Sequence, residues 1–204
     1  CLRNTCESHA RCDVIEVMGR DCGQIALYTA LASGAVAAVI PELPFDENEL
    51  LSRIHYLRSC GKRSFLVVVS EGVFTPDGGK YSEVLAKKIQ EKTGVETKFA
   101  RFAHVVRGGI PTLRDRLTAT KMGVKAVELL LAGRSNAVIC EIDGAIVDTD
   151  INYALIADRN YKNKLKPGDL DHFTAEQVEA MKALAKKRLN ELLEVSKIIK
   201  DTSR

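Results

Sequence analysis

Arginine and glycine recur together at the ends of hydrophobic runs in this chain, and that pairing is where its chemistry is to be sought. The run Val14 to Val17 delivers Met18-Gly19-Arg20-Asp21-Cys22-Gly23, a glycine-flanked turn with one arginine, directly ahead of a helix-like stretch from Gln24 to Gly34. A second such turn, His104-Val105-Val106-Arg107-Gly108-Gly109-Ile110-Pro111, follows the alternating run Val95 to Phe102. Arg11 stands just before the first run, and Glu71 closes the most hydrophobic one, Phe65 to Val69. Arginine presents a planar fork of donors that matches a phosphate, and amides opening a helix behind a strand can face the same anion. A carboxylate at a neighbouring strand end can accept hydrogen bonds from sugar hydroxyls. A phosphorylated sugar satisfies both halves of that set. The alternatives are surface salt bridges for the arginines and a helix-dipole role for Glu71.

Other chemistries lack their residues. The sequence has no GxxxxGK[ST], GxGxxG or GxSxG pattern, no Cys-x-x-Cys pair and no Cys/His spacing suited to a metal. A net charge of +3, no tryptophan and 5% aromatic residues argue against nucleic acid. Lys186-Lys187-Arg188 falls in a Glu-interleaved amphipathic stretch, a solvated face. No apolar run is long enough to span a bilayer, so no membrane partner is expected. The six cysteines are too sparse for a disulfide scaffold and are expected to be reduced core thiols of a cytoplasmic protein. His9 and His55 read as structural or surface groups. Position 1 is cysteine rather than methionine, and the expectation is a chain that begins inside a longer protein.

The elements that must carry these turns alternate strand and helix. Residues 2–12 read as a helix end or linker, Val14–Val17 as a buried strand, Gln24 to Gly34 as a helix with a capping box from Asp21, and Ala35–Ile40 as a second strand. Asp46 and Glu49 cap a further helix with the stripe Leu50, Leu51, Ile54 and Leu57, stopped by Gly61. Phe65 to Val69 reads as a central parallel strand, and Tyr81 to Lys92 as a helix stopped at Gly94. A long helix is expected from Thr112 to Leu131, a strand over Ala137–Ile142, a turn at Asp143-Gly144, and Val147 to Asp150 as the lead into a short helix. Phe173-Thr174 with Gln177 opens a closing helix to about Lys200. Repeated βαβ units force parallel crossovers, hence an α/β fold, with a boundary near Gly108-Gly109. Glu16 reads either as an inward ion-pair partner or as functional, and Asp115-Arg116 either as a helix start or as functional.

Taken together, Val14-Ile15-Glu16-Val17-Met18-Gly19-Arg20 with Cys22-Gly23, Ile40-Pro41-Glu42 with Pro44-Phe45-Asp46, and His104 with Arg107-Gly108-Gly109-Ile110-Pro111 and Asp115-Arg116 closely resemble the 6-phosphofructokinase family. The resemblance covers essentially residues 2 to 157. It implies a three-layer α/β phosphofructokinase-like fold with a parallel βαβ sheet, present as a partial chain. Residues 1–108 would form the sugar-phosphate lobe, 109–159 would return to the nucleotide lobe, and 160–204 would be a linker and C-terminal helix.

The implied activity is phosphoryl transfer to the 1-hydroxyl of fructose 6-phosphate. By resemblance, Arg20 contacts the phosphoryl group in flight, Met18 and Gly19 line the sugar, Glu71 holds its hydroxyls, and His104 and Arg107 take the 6-phosphate. Arg11 and Lys98 match positions that reach a 6-phosphate bound in a neighbouring subunit, which implies a homo-oligomer, a dimer or tetramer. Lys98 replaces the usual arginine and loses its fork. Arg3 and Lys62 match effector positions, while Val36 and Cys60 do not, so the usual effectors are not expected. The intact enzyme would use Mg2+ with ATP, pyrophosphate being the other donor known in the family. By the resemblance, the glycine-rich donor loops and the Thr-x-Asp that supplies the general base would precede residue 1, so the isolated chain is expected to bind neither Mg2+ nor nucleotide and to be inactive. The alternative is a non-catalytic sugar-phosphate-binding regulatory or oligomerisation module.

Overall fold

The computed structural model describes residues 2–203. Four parallel strands form its sheet in the order β2-β3-β1-β4: β1 Cys12–Val17, β2 Ala37–Val39, β3 Phe65–Ser70 and β4 Thr97–Arg101. The helices around it are α1 Leu2–His9, α2 Gln24–Ser33, α3 Glu47–Ser59 and α4 Tyr81–Thr93. From β1 the chain moves one way across the sheet to β2, and from β3 it moves the other way to β4. Right-handed crossovers therefore place α2 on one face and α3 and α4 on the other, giving three layers.

The strand pattern follows. β1 and β3 are buried at every position because both faces are covered. Cys12, Val14, Phe65, Val67 and Val69 pack with Leu50, Ile54, Leu57, Leu85 and Ile89 of α3 and α4. The alternate residues Ile15, Val17, Leu66 and Val68 face the side of α2, whose Ala26, Leu27 and Ala30 are buried. Gly34 and Gly94 end α2 and α4 in the left-handed conformation at φ 67° and 66°.

Of the two readings of residues 2–12, the helix holds: Leu2–His9 form α1, and Cys12 opens β1. One local expectation needs correction. The cap of α2 is Gly23 rather than Asp21, and it makes no side-chain capping bond. A carboxylate from elsewhere takes its place: both oxygens of Glu42 accept the Gly23 N–H, at 2.9 and 3.0 Å. Asp46 does cap α3, accepting from the Asn48 and Glu49 amides.

Two compact units are distinguished, one comprising the described residues up to Arg107 and those from Lys187 onward, the other Gly108–Lys186. The second contains α5 Leu113–Leu131, the antiparallel pair β5 Ala137–Ile142 and β6 Ala145–Asp150, α6 Ile151–Tyr161 and the start of α7 Ala175–Thr202. β6 lies where only a lead into a helix was expected. Asp143 and Gly144, at φ 51° and 83°, make the two-residue turn that pairs it with β5. Its Asp148 is held by Arg134 at 2.5 Å and Lys125 at 3.2 Å, which ties an acidic strand to α5 and the loop behind it. Thr112 and Asp115 form a capping box at α5, so Asp115 has a structural role.

Candidate functional site

Adjacent parallel strands β1 and β3 end at one carboxyl edge of the sheet, the edge at which open α/β sheets take ligands. Met18-Gly19-Arg20 leaves β1 there, and Glu71-Gly72 leaves β3. The two loops are joined by hydrogen bonds. The backbone N–H groups of Gly19 and Arg20 both donate to Glu71 Oε1, at 3.1 and 2.9 Å. These bonds, led by that from Arg20, hold the Glu71 carboxyl below the usual carboxylate range, aided by the charges of Lys80 and Arg20 and only partly offset by burial. Lys80 Nζ donates to the Glu71 carbonyl at 2.9 Å and lies 4.4 Å from the Phe74 ring centre.

The loop is strained where it turns. Arg20 sits at φ 49°, and a Cβ on Gly19 would come 2.2 Å from the Cys22 carbonyl. The Arg20 guanidinium is exposed and makes no ion pair among the described residues. His104 and Arg107 reach the same sheet edge from β4: the Phe102 N–H donates to the Glu16 carbonyl at 3.1 Å, and a 3-10 turn, Ala103–Val106, follows. Both side chains are exposed. Arg20, Glu71, His104 and Arg107 thus lie along one carboxyl edge of β3, β1 and β4, with Met18 and Gly19 between them.

Arg11 and Lys98 lie on the opposite edge. Arg11 precedes β1 and Lys98 is paired with Asp13 near the start of β4, so the six residues of β1 put roughly 20 Å between Arg11 and Arg20. Arg11 Nε is 3.4 Å from the buried Asp13 carboxylate, and Lys98 pairs with Glu96 at 2.8 Å. Arg3 and Lys62 are close enough that Arg3, together with Arg53, contributes to lowering the Lys62 ammonium from its usual range, though burial contributes more.

Glu16 is a structural group. Only 3% exposed, it accepts from Arg101 Nε at 2.7 Å and from the Ser82 hydroxyl, while Arg101 also reaches Glu83 at 2.7 Å. The sequence reading assigned no role to Gly72, Lys80 or Glu42. Gly72 left a signal as the glycine directly after the strand-end carboxylate, and Glu42 as part of the Ile40-Pro41-Glu42 segment that carries the resemblance; Lys80 left none. Among the described residues no three His, Cys, Asp or Glu side chains gather as a metal site. The donor set therefore does not fit Mg2+.

The phosphofructokinase family model matches residues 1–130. The chain belongs to the phosphofructokinase family. It is 45% identical over 164 residues to the ATP-dependent 6-phosphofructokinase of Clostridium acetobutylicum, and 45% over 164 residues to ATP-dependent 6-phosphofructokinase 1 of Clostridium perfringens. Each match covers 80% of this chain and 50% of the relative, so the chain spans about half the length of the curated relatives it matches. Among solved structures, the phosphofructokinase of Saccharomyces cerevisiae superposes with a TM-score of 0.76 at 26% identity, covering 97% of this chain and 26% of that one. The pyrophosphate-dependent phosphofructokinase of Nitrosospira multiformis gives 0.62 at 26% identity, covering 74% of this chain and 42% of that one. No helix among the described residues is long and apolar enough to cross a membrane.

Proposed function

We propose that this chain supplies the fructose 6-phosphate side of a 6-phosphofructokinase. The observation that carries the reading is the single carboxyl edge on which Arg20, Glu71, His104 and Arg107 lie, with Glu71 Oε1 fixing the Arg20 loop. His104 and Arg107 neutralise the 6-phosphate, the arginine by its fork and the histidine as a neighbouring donor. Glu71 keeps its second oxygen for sugar hydroxyls, and its lowered pKa keeps it an acceptor at neutral pH. Arg20 places its guanidinium where negative charge spreads over the phosphoryl group as it moves to the 1-hydroxyl, and Met18 and Gly19 line the sugar.

ATP is the donor named for the curated relatives and is the donor proposed here; pyrophosphate, named for the Nitrosospira structure, is the second. The donor, its Mg2+ and the general base belong to the half of the relatives that the match does not cover, so the isolated chain is proposed to lack kinase activity. Arg11 and Lys98, on the far edge, serve the 6-phosphate of a neighbouring subunit in a homo-oligomer.

Calorimetry with fructose 6-phosphate on the wild-type chain and on Arg107→Ala tests this. Binding that disappears in the variant supports a sugar-phosphate site. Fructose 1,6-bisphosphate made by the purified chain would overturn the division of labour, and binding that survives Arg107→Ala would overturn the site.

A further inference from the structure

Lys80 stands where helix stability alone would not put a lysine. It is the residue from which α4 starts, in extended conformation, and its side chain makes no capping bond. A short acceptor such as Asp, Ser or Thr ordinarily takes the free amides there, and a positive charge is of the wrong sign for that end of the helix dipole. The side chain turns back instead to the end of β3. Between these points the chain makes a small loop: Phe74 and Lys80 form an antiparallel bridge, the Thr75 N–H donates to the Gly79 carbonyl at 2.9 Å, and the Gly78 N–H donates to the Thr75 carbonyl at 2.9 Å. Lys80 Nζ crosses the mouth of that loop to the Glu71 carbonyl, 2.9 Å away, with the Phe74 ring centre at 4.4 Å. Phe74 is 53% exposed, so burial does not account for the ring, whereas an ammonium over its face does. The charged neighbours of the Glu71 carboxylate are Lys80 and Arg20; their charges add to the Arg20 and Gly19 amide bonds in favouring its ionised form.

We propose that Lys80, seated on Phe74, is a positioning residue of the sugar-phosphate site, acting through Glu71. The proposal rests on the sugar-phosphate reading of the carboxyl edge and adds to it a residue that the resemblance does not assign. Glu71 has two tasks at once: Oε1 accepts from the Gly19 and Arg20 amides, which leaves the second oxygen for a sugar hydroxyl. A turn of its backbone would disturb both. Lys80 holds the residue by its carbonyl while the Gly19 and Arg20 amides hold it by its carboxylate, so Glu71 is fixed at both ends. The loop from Gly72 to Lys80 thereby belongs to the site, as the segment that returns a cation to the strand end it left. A neutral side chain at position 80 loses both the tether and the charge, whereas arginine retains a donor, the charge and an affinity for the ring face.

Fructose 6-phosphate is the probe, titrated calorimetrically into the wild-type chain and its variants. Lys80→Met keeps the apolar stem and removes the ammonium, so its affinity should fall about tenfold, while Lys80→Arg should stay within about threefold of wild type. A lysine that served folding alone would not alter the ionisation of Glu71. The Glu71 carboxyl titration, followed by carbon NMR, should therefore move up toward the ordinary carboxylate range in Lys80→Met and stay low in Lys80→Arg. Wild-type binding matched by Lys80→Met overturns this proposal and leaves the sugar-phosphate reading standing; a wild-type chain that does not bind fructose 6-phosphate overturns that reading and the proposal with it. A Glu71 titration that does not move in Lys80→Met overturns the proposal, as does a Lys80→Arg as weak as Lys80→Met. Should Lys80→Met not fold, Phe74→Leu decides, because it removes the ring face and keeps apolar bulk: lowered affinity with a raised Glu71 titration supports the proposal, and either one unchanged overturns it.

Discussion

Gly72 lies so close to Arg20 that a Cβ on it would stand 1.9 Å from the Arg20 carbonyl oxygen. The obstacle is backbone, which cannot swing aside as a side-chain tip can. The loops leaving β1 and β3 are therefore held at a spacing that only glycine permits, and the position of Arg20 depends on a residue that need never touch a ligand.

Gly72→Ala should push the Arg20 loop away from Glu71. The expected cost is about 1–3 kcal/mol of stability, as for other overpacked sites, read from denaturant unfolding. Fructose 6-phosphate affinity should fall at least about tenfold, since roughly 1.4 kcal/mol of lost orientation suffices for that. An alanine variant with wild-type affinity would show that the loop spacing does not matter to the site.

Glu71→Gln tests the carboxylate at constant shape. Losing the charge on an acceptor of two backbone N–H groups should cost about 1–2 kcal/mol. The folded pKa of Glu71 is depressed, so its stabilisation is fully present above the unfolded carboxylate range and is lost as pH falls through the lower folded value. Wild type and variant should therefore converge in stability in acid and separate toward neutral pH. Parallel pH profiles would exclude the charge as the cause.

Thiol chemistry should divide by burial. Burial, with Asp13 as hydrogen-bond partner and negative neighbour, pushes the Cys6 thiol up to about 12, and burial raises Cys12 as well. Cys60 is exposed. At neutral pH iodoacetamide should modify Cys60 while sparing Cys6 and Cys12, as read by peptide mass spectrometry. Prompt alkylation of Cys12 would mean that β1 opens locally.

The strands of the parallel sheet and most helix stops were legible because they rest on local signals: β-branched runs, glycine stops at Gly34 and Gly94, and the cap at Asp46. The resemblance at Met18-Gly19-Arg20 and His104 to Arg107 named residues that the sheet then collected on one edge. The contacts that set their positions were not legible. Glu42 reaches Gly23 across 19 residues and Glu71 reaches Gly19 across 52, and no short window contains either pair. β6 escaped for a different reason: Asp148 and Asp150 make it read as polar, and its pairing depends on a two-residue turn and on cations from outside the strand.

In the second unit, α5 carries an apolar stripe that nothing there covers. Leu113, Leu117, Val124, Val127 and Leu131 recur at helical spacing, with Leu113 82% and Leu131 84% exposed, while Leu129 points inward at 7%. A soluble chain does not ordinarily leave a continuous stripe of this kind in water, because each buried leucine would be worth about 1.5–3 kcal/mol. The purified chain should accordingly bind an apolar dye such as ANS and self-associate in sedimentation as concentration rises. Leu117→Lys together with Leu131→Lys should suppress both effects without loss of helix, since the two positions face solvent and contribute little to the unit's own core. A wild-type chain that stays monomeric and does not bind the dye would show that the stripe is satisfied in solution by contacts other than self-association.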